Sequence, residues 1–275
     1  ARQLAFDVLM KIEKDKAFSN LALDSAVKAY CQNSTDCAFV SHLVYGVVER
    51  KITLDYVISK YLDKPITKLK ADALNILRLG AYQLLYSDKI PQSAAVNESV
   101  KLAKQNKLSY ASGMINAVLR KITRSDLDFS NITDEAERIS VVCSAPVELV
   151  KFLVFHYGAE NAEKFLLSAL EPKQIFIKVN TTKTSANELM KKLSAEGVET
   201  EKTILENALK IQLNGAVYDL DCFKEGLFHV EDLSSQLCVE ALGVYKGCTA
   251  IDVCAAPGGK TFSIAEDMGN EGTLY

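Results

Sequence analysis

The sequence has no apolar run approaching the roughly 18 residues of a membrane-spanning helix. Its first residues, Ala1 to Lys16, alternate charged and apolar side chains, which a secretory leader does not do. Position 1 is Ala and not an initiator Met, so the chain is expected to begin inside a longer protein. Cysteine is present without metal or redox spacing: no two of Cys31, Cys37, Cys143, Cys222, Cys238, Cys248 and Cys254 have the two-residue spacing of zinc ribbons and thioredoxin-like sites. An odd number of thiols in a chain long enough to bury its own core indicates reduced, cytoplasmic cysteines and not a disulfide framework. Histidine is scarce, and His42, His156 and His229 lie far apart, so no metal site is expected.

What is present describes an ordinary globular chain. At about 150 residues per domain, 275 residues suggest two domains. Hydrophobic residues at 48% and charged residues at 24% exclude a disordered or low-complexity protein. The net charge of −3 conceals an asymmetry. Residues 1–130 hold 19 Lys and Arg against 13 Asp and Glu, and residues 131–275 hold 13 against 22. Such a split points the first part toward a polyanion.

Residues 1–125 contain only two prolines, Pro65 and Pro91, and repeated apolar stripes of helical period. Leu4, Val8 and Ile12 form one stripe, and Phe39, Leu43 and Val47 another. Leu74, Leu77, Ala81 and Leu84 form a third, and Ile115, Val118, Leu119 and Ile122 a fourth. With breaks at Asn33-Ser34-Thr35-Asp36, near Pro65 and at Ile90-Pro91-Gln92, about seven helices packed as a bundle are expected. Between Ser99 and Ser125 there are six cations, Lys101, Lys104, Lys107, Arg120, Lys121 and Arg124, and no acid. Cations three apart project from one helix face and suit phosphate contacts. A solvated basic face has the same pattern, and charge alone leaves both readings open.

Leu149, Leu153, Ala162 and Leu166 mark further helices up to Pro172. The period then changes. Gln174–Asn180 is a β-rich run, Ser185-x-x-Glu188 is a capping box opening a helix through Leu193, and Gly197 ends that helix. Leu209–Leu213 and Gly226–Val230 read as strands, giving a small α/β unit. Its acidic balance suits a supporting role rather than a phosphate grip.

The most specific string is Ala250-Ile251-Asp252-Val253-Cys254-Ala255-Ala256-Pro257-Gly258-Gly259-Lys260-Thr261. An apolar strand enters a Pro-Gly-Gly turn, a helix runs from Thr261 to Met268, and Gly272–Tyr275 begins another strand. This is the opening of a doubly wound sheet, where ligands sit at the carboxyl ends of strands. A phosphate-binding loop is excluded, because Cys254 stands where its first glycine belongs, and the G-x-G-x-x-G dinucleotide spacing is absent. Gly258 and Gly259 let backbone approach a ligand, and free amides at the helix start favour an anionic group.

The string Asp252 to Thr261 resembles motif I of the RNA 5-methylcytosine methyltransferases. Glu231-Asp232-Leu233-Ser234-Ser235-Gln236 is similar to a second element of that family, with Glu231 in place of the usual Gln. In the first part, Leu43–Arg50 with Leu54-Asp55, Leu77–Tyr86 with Ile90-Pro91, and Gly113–Arg120 resemble a NusB-like helical domain. The combination resembles the RsmB/Sun (Fmu) type of 16S rRNA cytosine-5 methyltransferases, with one departure at Ser144-Ala145-Pro146, where His or Tyr usually precedes Pro. The resemblance implies an all-α NusB-like bundle at 1–128 and a helical linker at 129–171. A small α/β domain at 172–245 and the first β-α-β part of a Rossmann-like class I methyltransferase domain at 246–275 follow.

It further implies that Cys254, Ala255, Ala256, Pro257, Gly258, Gly259 and Lys260 bind S-adenosyl-L-methionine. Lys101, Lys104, Lys107, Arg120, Lys121 and Arg124 then face 16S rRNA, with the chain acting as a cytoplasmic monomer. Family members use a cysteine thiolate from later motifs, which none of the seven cysteines matches, and a ribose-binding acid at the end of the second strand. Both are expected beyond Tyr275, which makes the chain catalytically inactive by itself. Cys254 is read as a wall residue of the cofactor loop and the other six as packing residues. The alternative reading is a NusB-like antitermination module without catalysis, which has no use for a cofactor turn.

Overall fold

The computed structural model describes residues 1–30, 33–171, 174–213 and 216–275, so Cys31 and Pro172 lie outside the described residues. The chain forms two compact units, Ala1–Glu171 and Pro172–Tyr275. Among the described residues, seven α-helices occupy the part of the first unit where about seven are expected. They are α1 (Arg2–Asp15), α2 (Ser19–Tyr30), α3 (Ser34–Glu49), α4 (Lys51–Ser59), α5 (Ala71–Tyr86), α6 (Gln92–Gln105) and α7 (Ser112–Lys121). The break at Asn33 is a helix start: its side chain accepts from the Asp36 amide at 2.7 Å. Pro91 occupies the N-cap of α6, where a missing amide costs nothing.

The bundle is organised around α5, in which Ala73 and every residue from Asn75 to Leu85 is buried. A helix buried all round has no polar face to spare, so its polar residues need partners inside. Arg78 donates to both carboxylate oxygens of Asp55 on α4, each at 2.7 Å, and to Asn75 Oδ1 at 3.0 Å. Gln83 accepts from Arg2 on α1 at 2.7 Å. The close approaches are made at glycine. A Cβ on Gly46 of α3 would lie 1.9 Å from the Tyr82 ring, and one on Gly80 would lie 2.5 Å from Leu119 of α7.

Three more helices, α8 (Glu135–Cys143), α9 (Val147–Tyr157) and α10 (Ala159–Ser168), build a small core from Ile139, Cys143, Val150, Leu153, Ala162 and Leu166. Ser144, which opens the Ser144-Ala145-Pro146 string, ends α8 at a φ of 53°. Its hydroxyl accepts from the Ile52 amide at 3.0 Å, which ties α8 to α4. Leu149, one of the residues that mark the helix, is 45% exposed, because the buried face of α9 runs through Val150 and Leu153. Among the described residues no single helix is long and apolar enough to cross a membrane.

The second unit opens with β1 (Ile175–Val179), α11 (Ala186–Ala195), β2 (Glu199–Lys202), β3 (Ala208–Gln212), α12 (Asp221–Lys224) and β4 (Phe228–Val230). The expected capping box at Ser185 and Glu188 begins α11. All neighbouring strands pair antiparallel in the order β2-β3-β1-β4, so the small α/β unit is a β-α-β-β-α-β, ferredoxin-like sheet. Strand β2 has no counterpart in the sequence reading. Glu199-Thr200-Glu201-Lys202 is almost wholly exposed at the sheet edge and lacks the apolar alternation that marks a strand.

Next come α13 (Leu233–Leu242), β5 (Thr249–Ala250), α14 (Gly259–Asp267) and β6 (Thr273–Leu274). Strands β5 and β6 are parallel, and α14 lies between them in sequence, as a parallel pair requires. Val239, Ile264 and Met268 pack with Cys248, Ala250 and Leu274 beneath this pair. The apolar string 250–253 is strand only at Ala250, although the Asp252 amide still donates to the Tyr275 carbonyl at 2.8 Å. Helix α14 starts two residues before the expected Thr261.

Removing Asp55 leaves the Arg78 guanidinium buried with only part of its charge answered. Asp55→Ala is expected to cost about 3 kcal/mol or more, read as a lowered urea midpoint.

Candidate functional site

The loop from Asp252 to Thr261 is held from its two ends. The Asp252 carboxylate accepts from the Cys254 amide at 3.1 Å and from the Thr261 hydroxyl at 2.8 Å, tying the strand exit to the first turn of α14. Gly258 is the N-cap of α14 at a φ of 113°, a conformation that side chains disfavour, and a Cβ there would also press on the Phe262 ring at 3.0 Å. Gly259 differs: it has no positive φ, and a Cβ would meet only Glu231 at 3.6 Å, an ordinary contact. Its bare backbone is therefore not demanded by packing. Among the described residues no side chain caps α14, so the amides of Gly259, Lys260 and Thr261 remain available to an anionic group. Cys254, Ala255, Ala256, Pro257 and Lys260 are exposed, and Gly258 and Gly259 are half-buried.

Beneath the first turns of α14 lies a polar cluster that the sequence reading missed. The Glu231 carboxylate accepts a short hydrogen bond from Ser263 on α14. His229 on β4 stands 3.2 Å from the Ser263 hydroxyl, 3.5 Å from Glu231 Oε2 and 3.7 Å from Glu266 Oε1. Lys178 on β1 pairs with Asp267 at 3.2 Å. Burial works to raise the Glu231 carboxyl, but hydrogen bonds from His229 and Ser263 and the positive charges of His229 and Lys178 outweigh it and hold it low. Glu266 is pushed up, burial being the main cause. These residues come from separate elements, and no spacing rule links them. The only sequence signal was Glu231 standing where Gln is usual.

The six cations of the first unit are all exposed. They do not form one cluster. Lys101 and Lys104 lie in the last turns of α6, with Lys107 just beyond, whereas Arg120 and Lys121 end α7 and Arg124 follows. Arg120 borders a groove with Gln92, Ser93 and Asn97 of the first half of α6, which lie between about 6 and about 13 Å along the helix from Lys101 at about 1.5 Å per residue. Lys101 lies 3.8 Å from Glu98, and Arg124 pairs with Asp88, acids just outside the acid-free interval.

Comparison with known proteins extends this picture. A profile described as the NusB family matches residues 1–124. One described as a ferredoxin-like domain of RsmF/B-like methyltransferases matches residues 146–218. The chain is similar to a protein of Bacillus subtilis (strain 168) named probable ribosomal RNA small subunit methyltransferase B. It is 37% identical to it over 275 residues, which are 99% of this chain and 61% of that protein. A protein of the same name from Synechocystis sp. (strain ATCC 27184 / PCC 6803 / Kazusa) is 37% identical, over 100% of this chain and 62% of its own length. Over its whole length the chain is thus similar to proteins named ribosomal RNA small subunit methyltransferase B, with a NusB-like part followed by an RsmF/B-like ferredoxin-like part. It spans about three-fifths of the length of these relatives. The crystal structure of PH0851 has the same fold, with a TM-score of 0.68 at 22% identity over 99% of this chain and 62% of that one.

The thiols of this chain are placed unequally. Burial, with Glu163 nearby, raises Cys143 to about 11. Burial and a hydrogen bond to Glu196 raise Cys222 to about 12. Both stay protonated and fit the packing role expected of them. Cys37 and Cys248 are half-buried. Cys238 is exposed on α13, which corrects its reading as a packing residue: the buried face of that helix passes through Gln236 and Val239. Among the described residues no group of three or more His, Cys, Asp or Glu is arranged to hold a metal.

The two glycines of the loop should separate on substitution. Gly258→Ala is expected to lower stability by about 1–2 kcal/mol through backbone strain. Gly259→Ala should leave the thermal midpoint nearly unchanged, whereas Gly259→Val should weaken ligand binding at the loop in a folded protein, measured by calorimetric titration.

Proposed function

We propose that this chain is the RNA-recognition part and the first cofactor-binding loop of an S-adenosyl-L-methionine-dependent methyltransferase that forms 5-methylcytosine in 16S rRNA. The observation that carries this reading is the uncapped N-terminus of α14. Three amides are unclaimed by any side chain, behind a Gly-Gly turn at the carboxyl end of a parallel strand. Similarity over the whole chain to proteins named ribosomal RNA small subunit methyltransferase B supports it.

The residues present suit the cofactor. When bound, S-adenosyl-L-methionine supplies the methyl group. The amides of Gly259, Lys260 and Thr261 would hold its carboxylate, favoured by the positive end of the helix dipole. Asp252 is engaged by Cys254 and Thr261, so its task is to shape the loop. Cys254, Ala255, Ala256 and Pro257 would form the wall of the site. Lys101, Lys104 and Lys107 at one end of the α6–α7 pair, and Arg120, Lys121 and Arg124 at the other, would contact phosphates at two separated points. Such contacts position RNA without reading its sequence.

Carbon 5 of cytosine is a weak nucleophile, and the family's chemistry begins with a thiolate adding to carbon 6. The base must first leave its stack. Burial keeps Cys143 and Cys222 as thiols, and Cys254 belongs to the cofactor loop, so we assign the nucleophile to none of them. On this reading the chain alone binds rRNA and transfers no methyl group.

Two measurements test the proposal. Changing Lys101, Lys104, Arg120 and Lys121 to Ala should weaken 16S rRNA binding across sequences. The slope of log affinity against log salt should become shallower by about 3, at about 0.7 per contact for single strands. An unchanged slope reduces these cations to a solvated face. With labelled S-adenosyl-L-methionine and unmodified 16S rRNA, no label is expected on cytosine. Label that disappears in Cys254→Ala would make Cys254 the nucleophile and overturn the assignment.

A further inference from the structure

One of the two cation sets of the first unit has an aromatic side chain standing in it. Tyr110 lies in a 3-10 turn (Ser109–Ala111) just past Lys104 and Lys107. It is 66% exposed, whereas Leu108 and Ala111 beside it are each 4% exposed. Those two side chains anchor the turn in the core, so packing does not call for an aromatic ring at its tip. The turn is also fixed by hydrogen bonds. The Leu108 amide donates to the Ala103 carbonyl at 2.8 Å and the Ser112 hydroxyl to the Ser109 carbonyl at 2.7 Å. Asn106 exchanges two side-chain hydrogen bonds with Gln3 of α1, at 2.9 and 3.0 Å.

Cations reach this ring from two elements. The short turn at 87–91 folds α6 back along α5, which brings the start of α5 beside the end of α6. Lys70, the N-cap of α5, holds its ammonium over the Tyr110 ring, 5.4 Å from the centroid. Lys107 follows the C-cap of α6 at a φ of 60°, where glycine is the unstrained residue, so a charge is kept at a position that disfavours any side chain. Lys68, Lys70, Lys104 and Lys107 are exposed. Among the described residues none of the four lies within ion-pairing distance of a carboxylate. Asp72, the acid closest to Lys70 in sequence, accepts from the Ala73 amide at 2.8 Å. The stretch 115–128, which carries Arg120, Lys121 and Arg124, contains no aromatic residue, so the two cation sets differ in kind.

We propose that Tyr110 is a stacking platform for one unpaired RNA base, with Lys70, Lys104 and Lys107 taking the phosphates around it. The inference rests on the RNA-recognition reading above and gives one of its two contact points a grip on a base. An aromatic ring among lysines meets both needs of a single strand: every base has a π face, and every nucleotide brings a phosphate. Lys70 stands over one face of the ring, and with most of the residue exposed the opposite face is left for the base. A duplex cannot use the ring, because its bases are already stacked on one another. An acidic protein segment answers the lysines but brings no planar base to lay on Tyr110. Because the turn is held before the strand arrives, little protein ordering opposes the contact.

The test measures binding of the full chain to a short oligoadenylate, to the same strand paired with oligouridylate, and to polyglutamate. Tyr110→Ala should weaken oligoadenylate binding about tenfold, and Tyr110→Phe should stay within about twofold of the unaltered chain. The slope of log affinity against log salt should be unchanged in Tyr110→Ala and shallower by about 0.7 in Lys70→Ala. Binding of the duplex and of polyglutamate should not respond to Tyr110→Ala. The sequence has no tryptophan, so Tyr110→Trp places a single indole at the site. Its fluorescence should be quenched by bound oligoadenylate and not by polyglutamate. Unchanged oligoadenylate affinity in Tyr110→Ala, an equal loss for polyglutamate, or an unquenched indole in the oligoadenylate complex overturns the proposal. Binding of 16S rRNA that weakens with the four cation substitutions but is indifferent to Tyr110→Ala overturns it and leaves the RNA-recognition reading standing. Failure of the unaltered chain to bind any of these RNAs overturns both.

Discussion

Arg78 carries its charge into the middle of a helix that is buried on every side, and most of the first unit is arranged to answer it. Asp55 on α4 supplies two parallel hydrogen bonds, Asn75 on α5 a third, and Glu13 on α1 lies 3.5 Å away. A buried guanidinium without such partners is far more costly than an apolar side chain of the same size, so the position of α4 relative to α5 is tightly specified. The glycine contacts repeat this specification: Gly46 against Tyr82 and Gly80 against Leu119 set how closely α3 and α7 approach α5. Asp55, Arg78, Gly46, Gly80 and Tyr82 belong to the strings on which the NusB-like resemblance rested, and their packing supplies its physical basis.

In the second unit the corresponding constraint is the turn at Gly258. Its positive φ lets the chain leave β5 and enter α14 without a capping side chain, which exposes amides where a ligand can use them. Asp252 holds both ends of that turn. The cluster of Glu231, His229, Ser263 and Glu266 meets the same helix through hydrogen bonds and charge rather than through an apolar contact. Sheet and loop thus have different tasks: one bears the helix, the other presents its amides.

The helices of the first unit were legible because their apolar residues repeat at 3.6-residue spacing over long stretches, and Asn33, Pro91 and Ser185 mark helix starts by their own chemistry. The loop was legible because Asp252 to Thr261 is a local string whose function needs no distant residue. Strand β2 was not legible, since a polar edge strand carries no apolar alternation and is defined only by pairing with β3. Cys238 was placed on the wrong side of its helix, because a side chain next to a buried face looks the same in sequence as one within it.

The amino-acid order by itself determined where helices start, that the chain changes period after Ala169 and Leu170, and that a glycine turn follows an apolar strand near Asp252. Those features depend on backbone and side-chain preferences over a few neighbouring residues. Tertiary structure alone decided that six cations lie at two ends of a helix pair, because the reversal of chain direction between α6 and α7 sends the two sets apart. It also decided that His229, Glu231, Ser263 and Glu266 meet, since strand pairing and helix docking bring together residues that sequence separation keeps as much as 37 positions apart. Electrostatic balance depends on distance in space and on exclusion of water, and neither quantity is carried by the order of residues along the chain.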